Sequence, residues 1–273
     1  MKRQRRIAVI NDMSGFGRCS IAASLPIISA MKIQCCPLPT AILSAHTGFP
    51  NFFLKDFTPY MQQYMEHWKF LNLEFDGIAT GFLGSKEQIS EVIQFFELFK
   101  TQQNQILVDP VMGDYGKLYS SYTDEMCNEM KRLVPYADIL TPNLTEACRL
   151  LDISYEQADI SEQGLLQICE KLSEMGPDKI ALTGLQSEGK ITNFLYEKGG
   201  AHKEIVVEKI GEDRSGTGDV FSSVLFGDMI NGKDFFEAGK KAADFVTKAI
   251  AFTAQLDTPL NYGLCFEEFL TEL

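Results

Sequence analysis

Six short runs of β-branched and apolar residues recur along this chain: Ile7 to Ile10, Ile33 to Pro37, Gly77 to Thr80, Ile106 to Asp109, Asp138 to Thr141 and Lys179 to Thr183. Between them lie helical patterns near 20–31, 58–71, 85–101, 123–134, 143–151 and 161–175. Alternation of this kind predicts an α/β fold, with a mostly parallel sheet covered by helices on both faces. Ile191 to Tyr196 and Glu204 to Glu208 then flank Gly199-Gly200 and read as a hairpin. The final long helix, about 235–256, carries Ala238, Ala242, Phe245, Val246, Ala249, Ile250 and Thr253 on one stripe and is expected to pack on the sheet. With no internal repeat, low-complexity stretch or linker, residues 1–273 are expected to form a single domain.

Charge narrows the partners. A net charge of −12 leaves no basic excess to neutralise phosphates in bulk, so neither nucleic acid nor an anionic membrane is the expected partner. The seven cysteines are odd in number and scattered, with no C-x-x-C pair. They read as reduced thiols of a cytoplasmic protein, not as a disulfide framework or zinc site. The basic start Met1 to Arg6 is followed by only four apolar residues, Ile7 to Ile10, before Asn11-Asp12. That run is too short for a signal sequence or a membrane span, and reads as a first strand with a solubilising lead.

In parallel sheets ligands collect at the carboxyl ends of strands. Those ends here carry Asn11-Asp12, Gly81-Phe82, Asp109-Pro110, Thr141-Pro142-Asn143 and Thr183-Gly184, so a shared cleft is expected. A glycine turn, Asp213-Arg214-Ser215-Gly216-Thr217-Gly218-Asp219, runs directly into an apolar helix. Backbone N–H groups at such a helix start have no intrahelical partner, and glycine lets an anion approach them. Asp219 beside an anion site would repel the anion unless it has another task. Accepting a proton from a substrate hydroxyl is one; complementing the helix N-terminus is the alternative. Gly15-Phe16-Gly17 lacks the third glycine of a dinucleotide fingerprint, and no P-loop pattern occurs.

Val108-Asp109-Pro110-Val111-Met112-Gly113-Asp114 ends a buried strand with one acid and places a second after a glycine. Asp109 there either holds a hard cation such as Mg²⁺ or caps a neighbouring helix, with Asp114 in a surface turn. In Thr141-Pro142-Asn143-Leu144-Thr145-Glu146, the Asn143 and Glu146 spacing is a capping box, and the same oxygens could equally serve a Mg²⁺–phosphate group. Ser44-Ala45-His46-Thr47-Gly48-Phe49-Pro50 holds one of three histidines; His46 is assigned to substrate proximity, not to chemistry.

Together D-x-x-G-x-G-D before a helix, V-D-P-V-M-G-D, T-P-N-x-x-E-A and A-H-T-G-F resemble the ribokinase superfamily, specifically its vitamin-kinase branch and the pyridoxal kinase family within it. The resemblance covers essentially the whole chain and implies a three-layer α/β/α sandwich. It also implies ATP-dependent phosphorylation of the 5′-hydroxyl of a B6 vitamer. Asp219 would be the catalytic base, with Gly216, Thr217 and Gly218 as the anion hole. Asp109, Asn143 and Glu146 would serve Mg²⁺–ATP, with Asp109 and Glu146 toward the metal and Asp114 and Thr183 nearby. Thr47 and Phe82 would lie against the vitamin ring, and Tyr115 to Tyr119 would form a flap. A homodimer and a monovalent cation such as K⁺ are implied in the same way. Asp12 departs from the serine common at this place and is expected to pair with a charged nitrogen of the substrate, tilting preference toward pyridoxamine. The rivals are hydroxymethylpyrimidine kinase and, from another reaction class, an ATP-dependent lyase that dehydrates hydrated NADH; both resemble the chain in the glycine turn.

Overall fold

Side chains alternate across a strand, and in β1 (Arg6–Ser14) both sets are apolar, so both faces of the strand must be covered. Ala8 and Ile10 enter one core, Ile7 and Val9 another, and all four are almost completely buried. The same division runs through Ile106 and Val108 against Leu107, and Ile180 and Leu182 against Ala181. A computed structural model describes residues 3–120 and 122–273 of the chain.

The helices divide accordingly. α1 (Ser20–Ala30), α7 (Thr217–Ile230) and α8 (Phe235–Thr253) supply the second core. α2 (Thr58–Phe70), α3 (Lys86–Phe99), α4 (Asp124–Met130), α5 (Leu144–Leu151) and α6 (Glu162–Glu174) supply the first. Three layers result, as the alternating pattern predicts.

The remaining strands are β2 (Gln34–Leu43), β3 (Leu54–Asp56), β4 (Gly77–Thr80), β5 (Gln105–Val108), β6 (Gly113–Asp114), β7 (Lys117–Leu118), β8 (Ile139–Leu140), β9 (Lys179–Ser187), β10 (Lys190–Glu197) and β11 (Ala201–Glu208). Eight of them join β1 in one nine-stranded sheet, in the order β11-β10-β9-β8-β5-β4-β1-β2-β3. Pairing is parallel from β9 through β8, β5, β4 and β1 to β2. It is antiparallel at both margins, where β10 and β11 extend one side and β3 the other. The hairpin expected around Gly199-Gly200 is β10–β11, whereas β3 and the small β6–β7 hairpin are not anticipated by the sequence pattern. Each is two or three residues long, too short to show a period.

All six parallel strands therefore point their carboxyl ends to the same edge. The start of α7 lies there too, because an added Cβ at Gly216 would fall 2.1 Å from the Arg18 carbonyl oxygen in the β1–α1 connection. Seven cysteines are free, six of them buried. Among the described residues no helix is long and apolar enough to cross a membrane.

Candidate active site

The glycine turn begins α7 without a side-chain cap: Gly216 stands at the N-cap with φ of 80°. Only glycine adopts that backbone without strain and also clears Arg18. Gly218 differs, since a Cβ there would meet no protein atom within 4 Å. Its bareness leaves room for something other than protein. Thr217 turns its hydroxyl back to the Arg214 carbonyl at 2.5 Å, so its backbone N–H, with those of Gly218 and Asp219, remains the outward donor set.

Asp219 is half-buried at the base of this turn. Asn11 Nδ2 donates to its Oδ1 at 3.2 Å, and the backbone N–H of Ser20 at the start of α1 also faces it. Burial outweighs these donors and raises the carboxyl to about 6, with nearby Asp12 adding to the rise. Such a group is ionised at neutral pH and close enough to it to take up a proton.

Asp109, at the carboxyl end of β5, is buried and pushed well above the carboxylate range, first by desolvation and then by Asp219; the Ser222 hydroxyl opposes this. Glu146 is likewise buried and raised, by desolvation and then by Asp109. Three acids thus follow one another along the cleft floor with no cation among them. Both Glu146 oxygens accept backbone donors, Oε2 from Asn143 at 2.8 Å and Oε1 from Met112 at 3.1 Å. Asn143 Oδ1 accepts from Glu146 N at 2.9 Å, completing the capping box, while its Nδ2 donates to Gly113 O at 2.8 Å. The capping reading of this motif is therefore realised, and it also moors the turn that follows Asp109.

That turn is the expected flap. β6 and β7 form a hairpin closed by Tyr115 and Gly116, both at positive φ, which suits the twist of a two-residue hairpin turn. Gly116 N donates to Thr145 Oγ1 at 2.8 Å. Over the cleft, Tyr115 hydrogen-bonds Asp213, and Gln186 Nε2 donates to Asp213 Oδ1 at 3.0 Å while Lys209 Nζ donates to Gln186 Oε1 at 2.6 Å. This polar latch joins the flap to the segment before the glycine turn.

The cleft has a volume of about 310 Å³, and its lining includes Asp109, Asp114, Asn143, Glu146, Thr183 and the turn from Gly216 to Asp219. Val207, Ile210, Val246 and Ile250 add apolar surface to the same lining. Two stripe residues of α8, Val246 and Ile250, therefore face the cleft, while Ala238, Ala242, Phe245 and Ala249 serve the core. Thr141 also lines the cleft, its buried hydroxyl without a protein partner. Two mutually repelling buried carboxylates and an orphaned hydroxyl are a donor set that suits a divalent cation. No three His, Cys, Asp or Glu side chains converge on one point among the described residues, so such an ion would be shared with ligand oxygens.

Other expected residues lie differently. Asp12 is buried, its Oδ1 accepting from Ser20 Oγ at 2.5 Å and its Oδ2 from Ser14 Oγ at 2.8 Å. Through these bonds the carboxylate braces the β1–α1 connection; its expected pairing with a substrate nitrogen stands as a proposal, tested by the pyridoxamine/pyridoxal ratio of kcat/KM in Asp12→Ser, which an unchanged ratio overturns. His46 has both ring nitrogens engaged, Nε2 with Asn261 O at 2.7 Å and Nδ1 with Gly48 N at 3.1 Å. It ties the 44–50 loop to the C-terminal segment and stands edge-on to Phe49. Thr47 is exposed on that loop. Phe82 is half-buried, edge-on to Tyr122, with its N–H donating to Asn11 Oδ1 at 2.9 Å. Gln186 and Lys209 are the contributors that sequence spacing does not single out, and Asn11 reads there only as a polar strand end without a role. Cys19, also near Asp219, is held protonated by burial, its thiol raised to about 12.

The profile of the phosphomethylpyrimidine kinase family matches residues 17–262. A Bacteroides thetaiotaomicron protein named for phosphomethylpyrimidine kinase is similar throughout. Its orthorhombic crystal form, with pyridoxal, is 36% identical, superposes with a TM-score of 0.95, and is covered to 96% by 99% of this chain. Pyridoxal kinase from Lactobacillus plantarum is 25% identical, with a TM-score of 0.90 over 99% of this chain and 96% of that one. Pyridoxal kinase PdxY of Actinobacillus pleuropneumoniae is 29% identical over 188 residues, 66% of this chain and 64% of that protein. The match thus spans slightly under two thirds of that curated relative. These likenesses identify the three layers as the ribokinase-like sandwich expected from the motifs.

Proposed function

This chain belongs to the phosphomethylpyrimidine kinase family, and from that premise we propose that it transfers the γ-phosphoryl group of ATP to the 5′-hydroxyl of a B6 vitamer. The observation that carries the proposal is Asp219, raised to about 6 and set directly beneath a bare helix N-terminus. A proton acceptor and a cluster of phosphate-binding amides then meet at one point. The pyridoxal held by the Bacteroides relative supports the choice of acceptor.

In the reaction, the acceptor oxygen attacks the γ-phosphorus in line. Its O–H bond breaks as the new O–P bond forms, the proton passes to Asp219, and the bond to the β-phosphate oxygen breaks to release ADP. The amides of Thr217, Gly218 and Asp219 stabilise charge on the phosphoryl oxygens, and the gap at Gly218 admits them. Asp109, with Glu146 and Thr141 close by, would hold Mg²⁺, which supplies positive charge against the phosphates. The apolar surface formed by Val207, Val246 and Ile250 suits a nucleobase. The latched flap excludes water from the transfer. Phe82 and Thr47 are assigned to the vitamin ring, and two chains to a dimer, on family likeness alone.

The family's description, phosphomethylpyrimidine kinase, supports hydroxymethylpyrimidine or its phosphate as a second acceptor. An ADP-release assay with Mg²⁺–ATP against pyridoxal, pyridoxamine, pyridoxine, hydroxymethylpyrimidine, hydroxymethylpyrimidine phosphate and ribose, with and without K⁺ and with products weighed, decides between them. One phosphoryl group gained by a B6 vitamer is the expected result. Product from hydroxymethylpyrimidine or its phosphate alone selects the second reading, and no phosphorylated product from any of them overturns both.

A further inference from the structure

Asn11, 4% exposed at the carboxyl end of β1, has an amide whose orientation is dictated by backbone. Its Oδ1 accepts from Asp12 N and from Phe82 N, each at 2.9 Å. Turning the amide over would bring NH₂ against two N–H donors and the carbonyl against a carboxylate, so only one orientation is compatible with its neighbours. Gly81 closes the other side, where an added Cβ would fall 2.2 Å from Asn11 Nδ2. The donor is therefore immobile, and it is aimed at Asp219 Oδ1, 3.2 Å away.

Asn11 is not among the residues lining the main cleft. It lies behind the carboxylate, beside a cavity of about 20 Å³ shared with Thr80, Asp109, Asp219 and Ser222. Its contact with the lining of the main cleft is the hydrogen bond to Asp219, and its influence there passes through that side chain.

We propose that Asn11 is the positioning residue of phosphoryl transfer: its fixed Nδ2 binds Asp219 Oδ1 and leaves Oδ2 to receive the acceptor's proton. Because the same amide accepts from Phe82 N, it also ties the orientation of the base to the segment beside the acceptor. The inference rests on the reading of Asp219 as the base. A carboxylate free to rotate about its terminal torsion would present either oxygen, or neither, to the hydroxyl, and small displacements of a reacting group are costly.

Asn11→Asp keeps an acceptor for both backbone N–H groups and replaces the donor by a carboxylate oxygen facing Asp219, so it is read beside Asn11→Ala, which removes the donor without that charge. A double-mutant cycle with Asp219→Asn is measured by steady-state kinetics and product mass. Asn11→Asp alone is expected to lower kcat by roughly 10- to 100-fold while leaving KM for Mg²⁺–ATP unchanged within a factor of two. In the Asp219→Asn background the same substitution is expected to cost no further activity. Asn11→Ala repeats the cycle, and also serves if Asn11→Asp does not fold. Unchanged kcat in the Asn11 variant, beside an inactive Asp219→Asn, overturns the positioning role and leaves the base intact. Equal losses in both backgrounds overturn it too, because a merely structural role is additive. Full turnover by Asp219→Asn removes the base reading and this inference together.

Discussion

At Asp219 the chain places charge where burial opposes it. The folded carboxyl titrates near 6 and the unfolded one near 3.8, so the folded state binds the extra proton between those values. Stability from this group is present below about 3.8 and is lost as pH rises through 6. Asp219→Asn is therefore expected to melt higher than the natural protein at pH 8, by roughly 2–4 °C per kcal/mol relieved, and to converge with it near pH 4. Its kcat should fall by about 10²- to 10⁴-fold, the usual weight of a general base, with ATP binding retained in calorimetry. Activity of the natural protein should decline as pH drops through about 6 and the base is protonated. The two glycines beside it make a paired test. Gly216→Ala forces a methyl group against the Arg18 carbonyl at a φ of 80° and is expected to cost about 2 kcal/mol or more in urea unfolding. Gly218→Ala meets no protein atom, so its unfolding midpoint should stay put while turnover drops.

Among elements, the β6–β7 hairpin has the least support of its own and depends on what it touches. Thr145 and Asn143 hold it from α5, and Tyr115 reaches across to Asp213 and Gln186. Tyr115→Phe removes the reach and keeps the ring. ATP hydrolysis without acceptor is then expected to rise about 2- to 10-fold, the equivalent of one hydrogen bond; an unchanged rate in an ADP-release assay would show that the latch does not govern closure. How legible such elements are follows from their span. Asn143 and Glu146 lie three residues apart, so their capping box can be read directly from spacing. The Tyr115–Asp213 contact joins residues 98 apart, and the Asn11–Asp219 contact joins residues 208 apart. Neither leaves a local pattern, and each exists only once strand order brings the partners together. Asp12 shows the local case: its carboxylate accepts from Ser14 and Ser20, two and eight residues along, contacts that only the folded β1–α1 connection brings about.

For the molecule as a whole, strand alternation and the polar strand ends reveal the layers and the edge that holds the cleft. They do not reveal β3 or the full length of β2 and β9, whose margins are set by pairing partners. The net charge of −12 opposes an anionic nucleotide at distance, whatever the proposed site offers it at contact. Raising ionic strength from 20 to 200 mM with a non-binding salt should therefore increase kcat/KM for Mg²⁺–ATP, because the screening length falls to about 10 Å near 0.1 M. A decrease would mean that local positive potential at the turn dominates the approach. The interlocking of Gly216 with Arg18, and of Gly263 with Gly17, has a temporal side. The segments that meet there are separated by roughly 200 residues of chain, so their contact is among the most non-local in the fold. A refolding chain can acquire most of its helices before these two segments meet, and activity is expected to return with that late contact rather than with helix content.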